Sequence, residues 1–337
     1  MCTSFRMKAA DGSVCIGRSM EFPDMMGAMI TTIPRGVTFT STSPSGAGFS
    51  WTTTQGAVGM DAIGNPQYLT DGINESGLYA GVLYMPGFAD YQDPTGVDPT
   101  NVISNLDLCN FVLTTTTSVA EACEAAASVT VWGETNDLIG GVPPIHLVLH
   151  DRSGDSRVIE FVAGQQRVMA NPIGVATNAP YLDWHYNNLR QHMPGLHSAN
   201  PEPTSIEGVS LPPLSQGQGR LGVPGDGSSP SRFISAATYV RDVIPAATSA
   251  EQEMVVLHTL NNFDIPNGAM TGTGVAGRPQ NDQTTWISIS SLATLRYIVR
   301  VQTNPTPVVV DLKTTDFSSG GPRQVTISNG DFSPLVV

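Results

Sequence analysis

Residues 2–41 alternate apolar and polar side chains with the two-residue period of strands that bury one face. Thr3-Ser4-Phe5-Arg6-Met7, Val14-Cys15-Ile16-Gly17-Arg18, and Ile30 to Phe39 with a turn at Pro34-Arg35-Gly36 are the first strand candidates. Asp11-Gly12 separates the first two, and this dipeptide favours a tight hairpin because glycine tolerates the positive φ that such turns need. The hairpin predicts that residues 18–21 return beside residue 2. Asp71 to Leu78 reads as a tight turn feeding a buried strand, Tyr79 to Tyr84. The period then changes. Val102, Ile103, Leu106, Cys109, Val112 and Leu113 recur at helical spacing, and Ser118 with Glu121 predicts a capping box opening a helix over Ala120–Ala127. Strands are predicted at Ile145–Leu149, Arg157–Val162 and Gly174–Thr177, followed by a short helix from Leu182 to Gln191. Further helices are predicted over Arg232–Val243 and Glu251–Asn262, the second opened by Ser249 with Gln252. Strands close the chain at Thr285–Ser290, Arg296–Val301, Val308–Leu312 and Gln324–Ser328. This order suits one α+β domain over residues 1–337, with two central sheets and helices on both outer faces. Residues 193–231 hold seven Pro and seven Gly and read as one long loop, a length usually kept for function or association.

Composition narrows the function classes. Lys+Arg 16 against Asp+Glu 29 gives a net charge of −13, which disfavours nucleic acid and anionic membranes as partners. The longest apolar runs, such as Val308-Val309-Val310, are too short to span a bilayer. Met1 to Ser19 lacks the apolar core of a secretory signal, so the expectation is cytoplasmic, or periplasmic if Met1 replaces a removed leader. Cys2, Cys15, Cys109 and Cys123 lack ligand spacing, and no metal or cofactor is expected. Cys109 and Cys123 read as small core residues of helices. Gly217-Gln218-Gly219-Arg220-Leu221-Gly222 matches a dinucleotide-binding pattern in letters only, since it follows Pro212-Pro213 and not a strand. His146 and His150 fall on one strand face without a third metal partner, and Trp184-His185 reads as a helix anchor.

The chemistry concentrates at the N-terminus. A side chain as small as that of Cys2 permits removal of Met1, leaving a free α-amine beside the thiol. The ordinary thiol pKa is about 8.5 and that of an α-amine about 7.7–8.0, so at neutral pH each is partly in its reactive form. The amine can then act as base for its own residue's nucleophile. Arg18 offers a cation to favour thiolate, and Glu21 a carboxylate to hold the ammonium.

Five segments in order resemble the choloylglycine hydrolase family, which includes penicillin V acylases and conjugated bile-salt hydrolases. They are Cys2-Thr3-Ser4, Gly17 to Phe22, Asp71 to Leu78, Gly174 to Pro180, and Gly222 to Asp226 with Ser231-Arg232-Phe233. The resemblance implies a four-layer αββα N-terminal-nucleophile fold that hydrolyses a linear carboxamide without cofactor. It matches Cys2 to the nucleophile, Arg18 to the thiolate-side arginine, Asn178 to the oxyanion-hole amide and Arg232 to the second active-site arginine. Tyr84 falls where the acylase branch carries Tyr and bile-salt hydrolases carry Asn, and its backbone N–H would complete the oxyanion hole. Tyr84 and Met20 are the substrate-binding candidates. The family pattern has Asp where this chain has Glu21, which moves the carboxylate out by one methylene. The function so implied is a penicillin V acylase-like hydrolase of a small N-acyl amide. Its alternatives are a bile-salt hydrolase, an N-acyl homoserine lactone acylase, or a catalytically silent relative. The counterpart of 193–231 implies a homo-oligomer, expected to be a tetramer.

Overall fold

The computed structural model describes residues 1–273, 279–318 and 320–331. The Asp11-Gly12 hairpin forms. Asp11 Oδ1 accepts from the Ser13 N–H at 2.9 Å, Gly12 takes φ 85°, and strands Cys2–Lys8 and Val14–Phe22 pair antiparallel. The register sets Ser4 opposite Arg18 and Cys2 opposite Met20. These strands lie in a seven-stranded sheet. Its order is Val175–Ala176, Cys2–Lys8, Val14–Phe22, Pro279–Ser291, Arg296–Val301 and Val308–Asp311, with Met270–Thr273 paired to Pro279–Ser291. The second sheet has eight strands, in the order Gln165–Ala170, Ser156–Val162, Ile145–His150, Tyr79–Tyr84, Asn65–Asn74, Ala57–Ala62, Ile30–Ile33 and Arg323–Val325.

Among the described residues, five α-helices cover the sheets: α1 Leu108–Thr115, α2 Val119–Ala127, α3 Leu182–His192, α4 Ser229–Asp242 and α5 Ser249–Leu260. Helices α1 and α2 pack on the second sheet, α4 and α5 on the first, and α3 against α4. The architecture is the predicted αββα sandwich. Period-two alternation explains it. Leu147 and Leu149 enter the cluster under α1 and α2, while Val148 between them joins the cluster shared with the first sheet. Ile159 and Phe161 divide from Val158 in the same way. A sheet covered on both faces needs apolar residues at successive positions, which is why these strands read as unbroken apolar runs.

Several local expectations are corrected. Val102–Ser104 is a strand paired parallel with Thr130–Trp132, and the helix begins only at Leu108. A short apolar run does not distinguish the two periods. Ser118 does cap α2, but the Glu121 carboxylate accepts from the Thr117 N–H at 2.7 Å, one residue earlier than a capping box requires. The box at α5 is complete one residue ahead of expectation, between Thr248 and Glu251. The segment Ile30 to Phe39 divides between two sheets, since Thr38–Ser43 pairs only with Gly46–Thr52. Residues 193–231 are not one loop. They hold a hairpin, Thr204–Ile206 with Val209–Leu211, and α4 begins at Ser229. Within Gly217 to Gly222, Gln218–Arg220 forms a 3-10 turn entered from Gly217 at φ 82°.

Gly17 marks the tightest point between the first sheet and α5. A Cβ there would sit 2.6 Å from Phe5 and 2.8 Å from Val256, both wholly buried side chains. Gly17→Ala is expected to lower stability by roughly 1–3 kcal/mol, the usual cost of overpacking a core, read as a shift in denaturant midpoint.

Candidate active site

The first sheet presents its functional residues on two faces, because side chains alternate along a strand. Arg18 and Met20 face the second sheet with the Cys2 thiol. Cys2 Sγ lies 3.5 Å from Met20 Sδ and 3.8 Å from Arg18 Nη2. The Arg18 guanidinium is fully buried and reaches across to the second sheet, where Nη2 donates to the Val82 carbonyl at 3.1 Å and Nη1 stands 3.6 Å from Asp71 Oδ1. Trp286 lies against it, 5.5 Å from ring centroid to guanidinium carbon. Asp71 is equally buried and accepts from the hydroxyls of Tyr297, at 2.9 Å, and Ser288. Burial alone would push Arg18 down, but the negative charge of Asp71, then that of Cys2, outweighs it and holds the guanidinium above its ordinary value. Arg18 Nε and Nη1 make no hydrogen bond, so this positive charge is only partly spent.

The opposite side of Cys2 is held by Asn178 and Arg232. Asn178 Oδ1 accepts from the Cys2 N–H at 2.8 Å, and its Nδ2 donates to the Tyr84 carbonyl at 2.6 Å. Arg232, on the first turns of α4, donates from Nη1 to Cys2 O at 2.5 Å and Thr3 Oγ1 at 2.6 Å, from Nη2 to Asn178 Oδ1 at 2.5 Å, and from Nε to Gly227 O at 2.9 Å. Two buried histidines brace the strand end that carries Asn178. His185 Nε2 donates to the Asn178 carbonyl and His146 Nε2 to the Thr177 carbonyl, each at 3.0 Å. His185 stacks on Phe233 at 4.7 Å. Burial pushes both imidazoles down to about 4. The Trp184-His185 expectation therefore holds for His185 alone, since Trp184 is exposed. His150 is buried against Tyr79, without a hydrogen bond.

Glu21 takes the other face of its strand, three residues from Arg18. Its Oε1 accepts from Thr284 Oγ1 at 3.1 Å, and its buried Oε2 has no partner. Burial raises this carboxyl, against the opposing pull of Arg232 and the chain terminus. The Glu21 backbone pairs with Met1: its N–H donates to Met1 O at 2.7 Å and its carbonyl accepts from the Met1 ammonium at 2.5 Å. That ammonium also stands 3.7 Å from Asp282 Oδ2.

A pocket, partly open to solvent, begins at Met1 and Cys2 and runs between the sheets over Met20, Met25, Tyr84 and Trp286. Its walls are almost wholly apolar. Tyr84 closes one side, edge-on to Phe22 at 6.3 Å, and burial raises its phenol to about 12. Arg18, Met20, Asn178 and Arg232 contact Cys2 directly, Tyr84 is joined to it through Asn178, and Tyr84 and Glu21 line the same pocket. Sequence reasoning missed Asp71, Asp282 and the His185 brace. Asp71 was detectable only as a charge inside a segment that reads as buried.

The fold and the N-terminal cysteine with its surrounding groups define an N-terminal-nucleophile hydrolase. The pattern of linear amide C–N hydrolases of the choloylglycine hydrolase family matches residues 2–325, and the chain belongs to that family. It is 31% identical over 275 residues to a bile salt hydrolase/transferase of Clostridium perfringens, covering 80% of each chain. It is 30% identical over 311 residues to the corresponding protein of Bifidobacterium longum subsp. longum, covering 90% of this chain and 93% of that one. It is 26% identical to a penicillin V acylase of Pectobacterium atrosepticum, over 94% of this chain and 84% of that one. A mutant conjugated bile acid hydrolase from Clostridium perfringens superposes with a TM-score of 0.85 over the whole of both chains, at 25% identity. The protein is therefore a linear amide C–N hydrolase.

The lowered histidines give the site a pH signature. A folded-state pKa below the ordinary 6.5 means that the fold prefers neutral imidazole. The stabilisation is full above pH 6.5 and is lost as pH falls toward 4, by up to about 3 kcal/mol per histidine. Denaturant midpoints measured from pH 7 to 4 are expected to fall, and less steeply in His185→Gln.

Proposed function

We propose that the chain, once Met1 is removed, is a penicillin V acylase-like amidase whose nucleophile is Cys2. The observation that carries this reading is the double hold on Cys2: Arg18 beside the sulfur, Asn178 and Arg232 on the backbone. The free α-amine of Cys2 takes the thiol proton, and Arg18 favours the resulting thiolate. Sulfur attacks the amide carbon, forming the C–S bond as the carbonyl becomes an oxyanion. Asn178 Nδ2 carries two hydrogens, of which one is bonded to Tyr84 O and the other is free for the oxyanion. The Tyr84 N–H is the second donor, and removal of one such donor typically costs about 2.7–4 kcal/mol. The tetrahedral adduct collapses with C–N cleavage, the ammonium of Cys2 returning its proton to the departing amine. Water, activated by the same amine, then hydrolyses the thioester. Glu21, with its orphaned oxygen, supplies the counter-charge for that ammonium in place of the family's Asp.

The acyl group enters the apolar pocket. Met20, Met25 and Trp286 supply adaptable and aromatic surface, and Tyr84 an aromatic wall suited to an aryl acyl chain. The identities favour the bile salt hydrolases as relatives, so the acylase reading rests on the pocket and on Tyr84. The domain is read as one unit that assembles as a homo-oligomer, most simply a tetramer. What supports this is the hairpin within 193–231, where Ile206, Val209, Leu211 and Leu214 are all exposed. Ile206→Asp with Val209→Asp is expected to yield a smaller species by light scattering.

Cys2→Ala is expected to abolish amide hydrolysis with the fold intact, whereas Cys15→Ala and Cys109→Ala retain it. On one preparation, kcat/KM for penicillin V is expected to exceed that for glycocholate. The reverse ranking would replace the acylase reading by the bile-salt hydrolase.

A further inference from the structure

We infer that Ser229, the first residue of α4, is a positioning residue of this hydrolase. Its hydroxyl, together with His185, locks the Asn178 peptide so that one side-chain N–H stays aimed at the oxyanion. The inference rests on the proposed reading of Asn178 as an oxyanion donor, and adds the groups that make that donor rigid.

An asparagine offers a backbone N–H and carbonyl, a side-chain oxygen with two lone pairs, and two amide hydrogens. Both lone pairs of Asn178 Oδ1 are taken, by the Cys2 N–H at 2.8 Å and Arg232 Nη2 at 2.5 Å. One Nδ2 hydrogen goes to the Tyr84 carbonyl at 2.6 Å. Turning the amide over would set its NH2 against two donors, so its orientation is fixed. The backbone is held as firmly. The Asn178 N–H donates to Ser229 Oγ at 2.9 Å, and its carbonyl accepts from His185 Nε2 at 3.0 Å. The donor that remains is the second Nδ2 hydrogen.

Ser229 and Arg232 lie three residues apart on α4 and so share one face. They take opposite ends of Asn178, backbone and side chain. The Ser229 hydroxyl is not spent on its own helix, which has no side-chain cap. It meets Asn178 N, Thr177 Oγ1 at 3.0 Å and His185 Nε2 at 3.5 Å, while the Thr177 hydroxyl donates to the Ser229 carbonyl at 3.2 Å. His185 arrives from α3, and its ring stacks on Phe233 of α4 at 4.7 Å. The strand before Asn178 is only Val175–Ala176, too short a ladder to fix the residues that follow it. The two helices supply the missing hold. A hydrogen bond weakens steeply as its donor swings out of line, and a preorganised oxyanion donor acts mainly in the transition state. Loss of the Ser229 hydroxyl should therefore be felt in kcat and not in KM.

The test compares mature enzyme with Ser229→Ala, Asn178→Ala and the double variant, on one phenoxyacetyl amide. Ser229→Ala is expected to lower kcat about tenfold, the equivalent of ~1.4 kcal/mol of barrier, with KM within about twofold of the parent. Asn178→Ala should lower kcat further. In that background Ser229→Ala should change kcat by less than about twofold, because the donor it positions is gone. Parental kcat in Ser229→Ala, a loss that falls on KM, or the same tenfold loss with Asn178 already removed overturns the role of Ser229 and leaves the hydrolase reading standing. Parental kcat in Asn178→Ala overturns the oxyanion reading itself.

Discussion

The site depends on a positive charge buried between two sheets. Placing the Arg18 guanidinium there, wholly out of water, would cost several kcal/mol without a partner. Asp71 provides one from the facing sheet, and Tyr297 and Ser288 hold Asp71 in turn. The compensation is incomplete, because two guanidinium nitrogens remain without hydrogen bonds. That shortfall gives the charge its use. A guanidinium fully satisfied by carboxylates would have little left to offer a thiolate at 3.8 Å. In the proposed mechanism the interface between sheets is therefore also the device that makes the Cys2 sulfur reactive.

Strand geometry divides the remaining work. The hairpin returns Val14–Phe22 alongside Cys2–Lys8, and alternation then sends Arg18 toward the second sheet and Glu21 to the opposite face, against Thr284. The sulfur and the nitrogen of Cys2 thus meet different surroundings. One faces a guanidinium and an apolar pocket, the other donates to Asn178, whose amide oxygen Arg232 also holds. A nucleophile and its base that belong to one residue can be treated independently only by such a split.

How much of this was legible in the sequence follows from the range of each interaction. The Asp11-Gly12 turn is local, so the return of Arg18 to Cys2 could be predicted. The cap of α2 was found at Ser118 where it lies, whereas that of α5 was misplaced by one residue, since Thr248 and Ser249 are equally able to cap and only the backbone chooses. Val102–Ser104 was read as helix because its pairing partner, Thr130–Trp132, lies beyond any local period. Asp71 as the partner of Arg18 was not readable, because nothing in a single sequence links two residues on different sheets. His185 shows the same limit: its position on a helix was predicted, while its bond to the Asn178 carbonyl depends on the packing of α3 against α4.

With Met1 attached, the nitrogen of Cys2 is an amide that donates to Asn178 and cannot accept a proton. The central claim is that Cys2 carries a free α-amine in the active enzyme. Intact-mass analysis of enzyme caught in mid-turnover tests it directly. The account predicts a chain that begins at Cys2 and carries one acyl group as a thioester on Cys2. Full activity from a chain that retains Met1, or acylation at any other residue, would contradict it.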